Sequence, residues 1–111
     1  MSESFCIITT VCGSRAEADQ LAELLVAQKL AACVQVMQIS STYRWKGALT
    51  QEAEFLLLIK TRADLYGEVE KALIANHPYE LPEILQTPIV QGFPPYLAWV
   101  EENTQAGDEK G

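Results

Sequence analysis

The 111-residue sequence has one histidine, three arginines, and three cysteines without paired spacing. Each shortage excludes something. Cys6, Cys12 and Cys33 form no CxxC and no zinc-finger pattern, so a disulfide framework is not expected, and reduced thiols fit a cytoplasmic protein. Small buried apolar side chains are the ordinary role for such cysteines. There are 8 basic residues against 15 acidic ones, a net charge of −7. That balance argues against nucleic acid as a partner, favours solubility, and tilts the surface toward attracting cations. No apolar run approaches the length of a membrane span. The longest, Phe55 to Ile59, reads as a buried strand, so no membrane insertion is expected. Met1-Ser2-Glu3-Ser4 has neither a basic region nor an apolar stretch, which argues against a secretory signal. GxSxG, P-loop, HExxH and dinucleotide fingerprints are all missing, and the chain is expected not to be an enzyme.

What is present is a globular balance of 49% hydrophobic and 21% charged residues, enough for one core. Residues 1–103 read as a single domain, and 104–111 as a disordered polar tail. Phe5 to Cys12 is rich in β-branched residues and apolar on both faces, as in a central strand. Ser14-Arg15-Ala16-Glu17 has capping-box form, and Ala18, Leu21, Ala22 and Leu25 recur at helical spacing to about Gln28. From Ala32 an extended stretch runs to Trp45, Lys46-Gly47 signals a turn, and Leu49 to Thr61 returns as a second long strand. A second helix covers about Ala63 to Ala75 and stops near Asn76, because Pro78 disfavours helix at the residue before it. Glu83 to Gln91 reads as a fourth strand, placed at an edge or bulged by Pro88, and Pro94-Pro95 opens a terminal helix.

The order βαββαβ with an extra C-terminal helix predicts an α/β (α+β) ferredoxin-like sandwich with a long β-hairpin. Helices would cover one face of the sheet and leave the other apolar and bare. Bare apolar surface and free strand edges predict an oligomer.

The segments Lys29-Leu30-Ala31-Ala32-Cys33-Val34, Ser41 to Tyr43 with Trp45 and Gly47, and Glu54 with Leu57, Lys60 and Thr61 have a specific order and spacing. With His77-Pro78-Tyr79, Pro82-Glu83, Tyr96 and Trp99, the chain from Phe5 to about Val100 resembles the CutA family of divalent-cation-tolerance proteins. The resemblance implies a ferredoxin-like subunit in a compact homotrimer, with sheets continued between subunits, similar to the PII signalling proteins. It also implies binding of copper (Cu2+) or another divalent cation. The family's proposed ligands are a cysteine late in the first strand and two adjacent histidines before Pro-Tyr. Here His77 matches the second histidine and Asn76 stands at the first. The cysteine position falls on Thr10, with Cys12 two residues on and of the same parity. His77 and Cys12 are therefore the metal-ligand candidates.

Cys33, Tyr43, Trp45, Glu54, Lys60, Tyr79, Glu83 and Trp99 are candidates for an intersubunit cleft or interface. Glu54 and Lys60 share strand parity, so an ion pair or polar network is expected between them. For the aromatics the competing role is packing between subunits, and for Glu52, Glu80 and Glu83 it is ordinary solvation. Two functions follow: a cytoplasmic trimer that binds divalent cations, or a PII-like scaffold for a small effector or a protein partner.

Overall fold

The structure, a computed structural model, describes residues 4–105. Strand β1 (Phe5–Cys12) leads to helix α1 (Arg15–Ala27), then to strands β2 (Cys33–Trp45) and β3 (Ala48–Arg62). A short 3-10 turn, Ala63–Leu65, enters helix α2 (Tyr66–Asn76), followed by strand β4 (Leu85–Pro88) and helix α3 (Pro94–Glu102). The sheet order is β2-β3-β1-β4, and every pairing is antiparallel. This is the expected ferredoxin-like arrangement with its extra helix.

Local chemistry accounts for the element ends. Ser14 Oγ accepts from the Glu17 amide at 3.1 Å, satisfying one free donor at the start of α1. At the other end Lys29 adopts φ +59°. The Leu30 amide donates to Leu25 O at 2.9 Å, and the Lys29 amide to Val26 O at 3.0 Å. That is a Schellman cap with lysine where glycine usually sits. The β2–β3 hairpin turns on Lys46 (φ +50°) and Gly47 (φ +82°), both left-handed as a two-residue type I′ turn requires.

The pleat sorts the strands into two faces. Cys6, Ile8 and Cys12 of β1 and Leu57 and Ile59 of β3 are fully buried with Leu21 and Leu25 of α1 and Val69 and Leu73 of α2. Their neighbours Ile7, Thr9, Leu56, Leu58 and Lys60 are only half-buried on the opposite, open face. The hairpin projects beyond this body, giving extents of 44 × 26 × 22 Å and a radius of gyration of 14.7 Å, against about 13 Å for a compact chain of this length. Helix α3 partly covers one end of the open face, where Lys60 Nζ stands 5.9 Å from the Tyr96 ring.

Two expectations change. Strand β4 is four residues long, Leu85–Pro88, rather than running from Glu83 to Gln91. It pairs with β1 from Cys6 to Thr9, Pro88 has no amide to give, and the chain before Leu85 is diverted across the end of β1. The end of the domain also lies further on than 103. Thr104 is buried, and the Gln105 amide donates to Lys29 O at 2.8 Å, while Arg62 donates to Gln105 O at 2.7 Å. The rest of the expected tail, 106–111, lies outside the described residues.

Candidate functional site

Strand β1 outruns β4. Thr9 pairs with Leu85, so Thr10, Val11 and Cys12 have β3 on one side and no β4 partner on the other. The corner that follows α2 fills this position. Helix α2 ends at Asn76, and His77 is already extended (φ −84°, ψ 136°), as a residue before proline must be.

Two side chains bolt the corner down. His77 Nε2 lies 3.1 Å from Thr10 Oγ1, and His77 Nδ1 accepts from the Tyr79 amide at 3.1 Å. Tyr79 then reaches past the end of β1 and donates its hydroxyl to Glu54 Oε2 of β3 at 2.7 Å. Gly13 makes room for it, since a Cβ there would stand 3.2 Å from the Tyr79 hydroxyl oxygen.

A backbone amide can only donate, so His77 Nδ1 is the unprotonated nitrogen and Nε2 carries the hydrogen. That is the reverse of a histidine poised to ligate through Nε2, which donates from its other nitrogen to an acceptor. Burial holds the imidazole pKa below 6.5, against weaker raising contributions from the Val11 backbone and the Glu17 charge. Cys12 is fully buried. Burial first, then the Glu17 and Glu54 charges, push its thiol up to about 11, which disfavours the thiolate that would bind metal. His77 and Cys12 in this arrangement do not fit a copper ion. Among the described residues no three His, Cys, Asp or Glu side chains gather as a metal cage.

Between the corner and the base of the hairpin lies a cleft of about 790 Å³. Its floor is Val11 and Glu54, and one wall is Tyr43, Trp45 and Glu52 of the hairpin. The opposite wall is the corner itself, with Tyr79, Glu80 and Glu83. Glu54 is buried at 5% exposure, with Tyr79 as its hydrogen-bond donor. Nearer the mouth, Tyr43 donates to Glu52 Oε1 at 2.8 Å. Bonding to Glu52 raises the Tyr43 pKa. For Tyr79, burial is the leading cause of an upward shift and the bond to Glu54 the second. Four carboxylates thus face one cleft with Arg44 as the cation in its lining.

Of the candidate cleft residues, Tyr43, Trp45, Glu54, Tyr79 and Glu83 come together here. Cys33, Lys60 and Trp99 do not. Cys33 pairs across the strands with Lys60, and Trp99 stacks on Tyr96 with ring centroids 5.5 Å apart. Lys60 sits six residues from Glu54 along β3, about 20 Å on an extended strand. The two share a face as expected but form no ion pair; Glu54 is bound by Tyr79 instead. Sequence reasoning missed Val11, Thr42, Arg44 and Leu81 as lining residues. The alternation of β2 signals Ser41 and Tyr43, which pair opposite Glu52 and Thr50; Thr42 and Arg44 have the other parity, and no sequence signal marks them.

Comparison with known proteins agrees with this architecture. Residues 6–103 match the family described as CutA1 divalent ion tolerance protein. Mouse protein CutA is 38% identical over 101 residues, which cover 90% of this chain and 57% of the mouse protein. The chain therefore spans little more than half of that relative's length. The crystal structure of CutA1 from Shewanella sp. SIB1 superposes with a TM-score of 0.91 at 37% identity, over 96% of this chain and all of that one. CutA from Archaeoglobus fulgidus, described as a periplasmic divalent cation tolerance protein, gives 0.89 at 34% identity over 91% and 99%. Corner, hairpin and terminal helix all fall within the matched residues, and the chain belongs to the CutA1 divalent ion tolerance family.

Proposed function

We propose that this chain serves divalent-cation handling as a binding protein and not as an enzyme, in the cytoplasm, as a homotrimer whose binding site is the cleft beside the His77 corner. The observation that carries this reading is the cleft's charge: Glu52, Glu54, Glu80 and Glu83 against Arg44. Clefts lined by one sign of charge concentrate the opposite ion. Carboxylate oxygens suit hard divalent cations, whereas copper through His77 would first require the ring to give up the Tyr79 amide and change tautomer. The trimer is supported by the open face, where Leu56 and Leu58 are half-buried and Met37 is 49% exposed. The outer edge of β2, 13 residues long, has no strand beside it among the described residues, and such edges pair with other chains.

Calorimetric titration of Cu2+ and Mn2+ into the wild type, His77→Ala and Glu54→Gln tests the site. Coincident curves for wild type and His77→Ala, with weaker binding by Glu54→Gln, are expected. Loss of binding in His77→Ala alone would hand the site back to the histidine. Sedimentation should give three times the 12.3 kDa chain mass; a monomer at micromolar concentration overturns the trimer.

A second reading, a scaffold for a small effector, is favoured by the cleft's size. At about 790 Å³ it falls in the range of small-molecule sites and is far larger than a bare ion needs.

A further inference from the structure

Buried carboxylates are ordinarily paired with a cation, because an unpaired buried charge is costly. Among the described residues Glu54 is an exception. It is 95% buried by its 5% exposure, and its hydrogen-bond partner is the neutral phenol of Tyr79. The ion pairs among the described residues are Arg15–Asp19, Arg62–Asp64 and Lys71–Glu68, none of which involves it. Tyr79 occupies Oε2 and leaves Oε1 for another partner. Glu52 repeats the pattern two residues earlier, with Tyr43 on Oε1. Alternate residues on a strand point to the same face about 6.5–7 Å apart. Two phenol-held carboxylates at that separation, one at the floor and one at the mouth of a single cleft, make a ruler for two positive charges. The walls between them are aromatic. Tyr43, Trp45 and Tyr79 all line the cleft, and Lys46 Nζ already stands 5.6 Å from the Trp45 ring, within range for a cation on an aromatic face.

We propose that the cleft binds a small organic dication, an extended diamine whose ammonium groups are held by Glu54 and Glu52 and whose methylene chain lies against the aromatic walls. Among the described residues no three potential metal ligands converge, so a metal ion here would complete its shell with water or partner chains, while the methylenes of a diamine use apolar wall that an ion would leave wet. Arg44 is the cation among the lining residues, and its guanidinium Nη1 donates to Gly47 O at 3.4 Å. The inference rests on the cleft being the binding site, but not on its taking a metal.

The test is calorimetry with 1,4-diaminobutane, butylamine and Mn2+ as separate titrants at low ionic strength, on the wild type, Glu54→Gln, Glu52→Gln and Tyr43→Phe. Expected is diamine binding at least about tenfold tighter than butylamine, since the second charged contact is worth a factor of that order. Glu54→Gln and Glu52→Gln should each reduce diamine affinity about tenfold and leave butylamine weak. Tyr43→Phe lies at the exposed mouth, where it leaves the fold intact, and should lower diamine affinity several-fold. Wild-type binding of Mn2+ with no heat from the diamine overturns the dication and leaves the cleft reading standing. Diamine binding that is unchanged in both glutamine variants overturns the assignment to this cleft. Absence of binding by any titrant, on protein that sediments as a trimer, sinks both readings.

Discussion

The two faces of the sheet are built from the same strands and differ by one residue of register, yet they have little else in common. On the closed face Cys6, Ile8, Leu57 and Ile59 are at 0% exposure under α1 and α2. On the open face their immediate neighbours Ile7, Leu56, Leu58 and Lys60 are half-buried, and the cleft opens at the hairpin end. The closed face is finished within the chain. Among the described residues the open face carries the unfinished business: apolar side chains only half covered and a buried carboxylate without a cation. Stability within the chain belongs to the first face, and the proposed assembly and binding to the second.

Replacing Leu57 by alanine leaves a cavity in the closed face and should cost about 2–5 kcal/mol in urea unfolding, independent of protein concentration. Leu58→Ala, one residue away, breaks the comparison if it behaves the same. Its cost should instead shrink on dilution, as expected when a group is buried by partner chains. Next in size is Tyr79→Phe, which strips the donor from buried Glu54 and should cost about 1–3 kcal/mol; a neutral result would show that Glu54 has another partner in the assembled protein. Ser14→Ala removes the α1 cap on neither face and should cost about 1 kcal/mol, a reference for ordinary local losses.

The smallest effect is that of pH on the corner. The His77 pKa is lowered in the fold, so the unfolded chain takes up the proton first. The contribution of His77 to stability is complete above the unfolded value near 6.5 and is lost as pH falls through the folded value. Unfolding midpoints followed between pH 8 and 5 should show this slope in the wild type and not in His77→Gln. An equal slope in both would assign it to carboxylates.

Much of this was legible in the residues. The β1 strand, the Ser14 cap, the Lys46-Gly47 turn and the stop at Asn76 are local events, decided by side-chain geometry within a few positions. Other features were hidden because they depend on distant partners. Strand β4 read as nine residues and is four: the start of β1 limits it beyond Pro88, and before Leu85 the chain leaves β1 although β1 runs on to Cys12. Lys29 in a left-handed cap carries no glycine signal; the cap is held by backbone bonds to Leu25 and Val26, with Leu25 and Leu30 both buried in the core. Gln105 looked like tail because its bonds go to Arg62, Lys29 and Gln28, all remote in sequence.

By itself, then, the sequence determined the order of elements, the family, the acidic balance and the corner that holds the single histidine. The tertiary structure alone decided what that corner does. It put Tyr79 on Glu54 and not Lys60 beside it, turned His77 inward as a neutral brace on Thr10, and moved the candidate site to the cleft that the corner walls. The physical reason is that hydrogen-bond partners at separations of 25 and 67 residues are chosen by strand register and strand ends, which no local pattern of residues encodes.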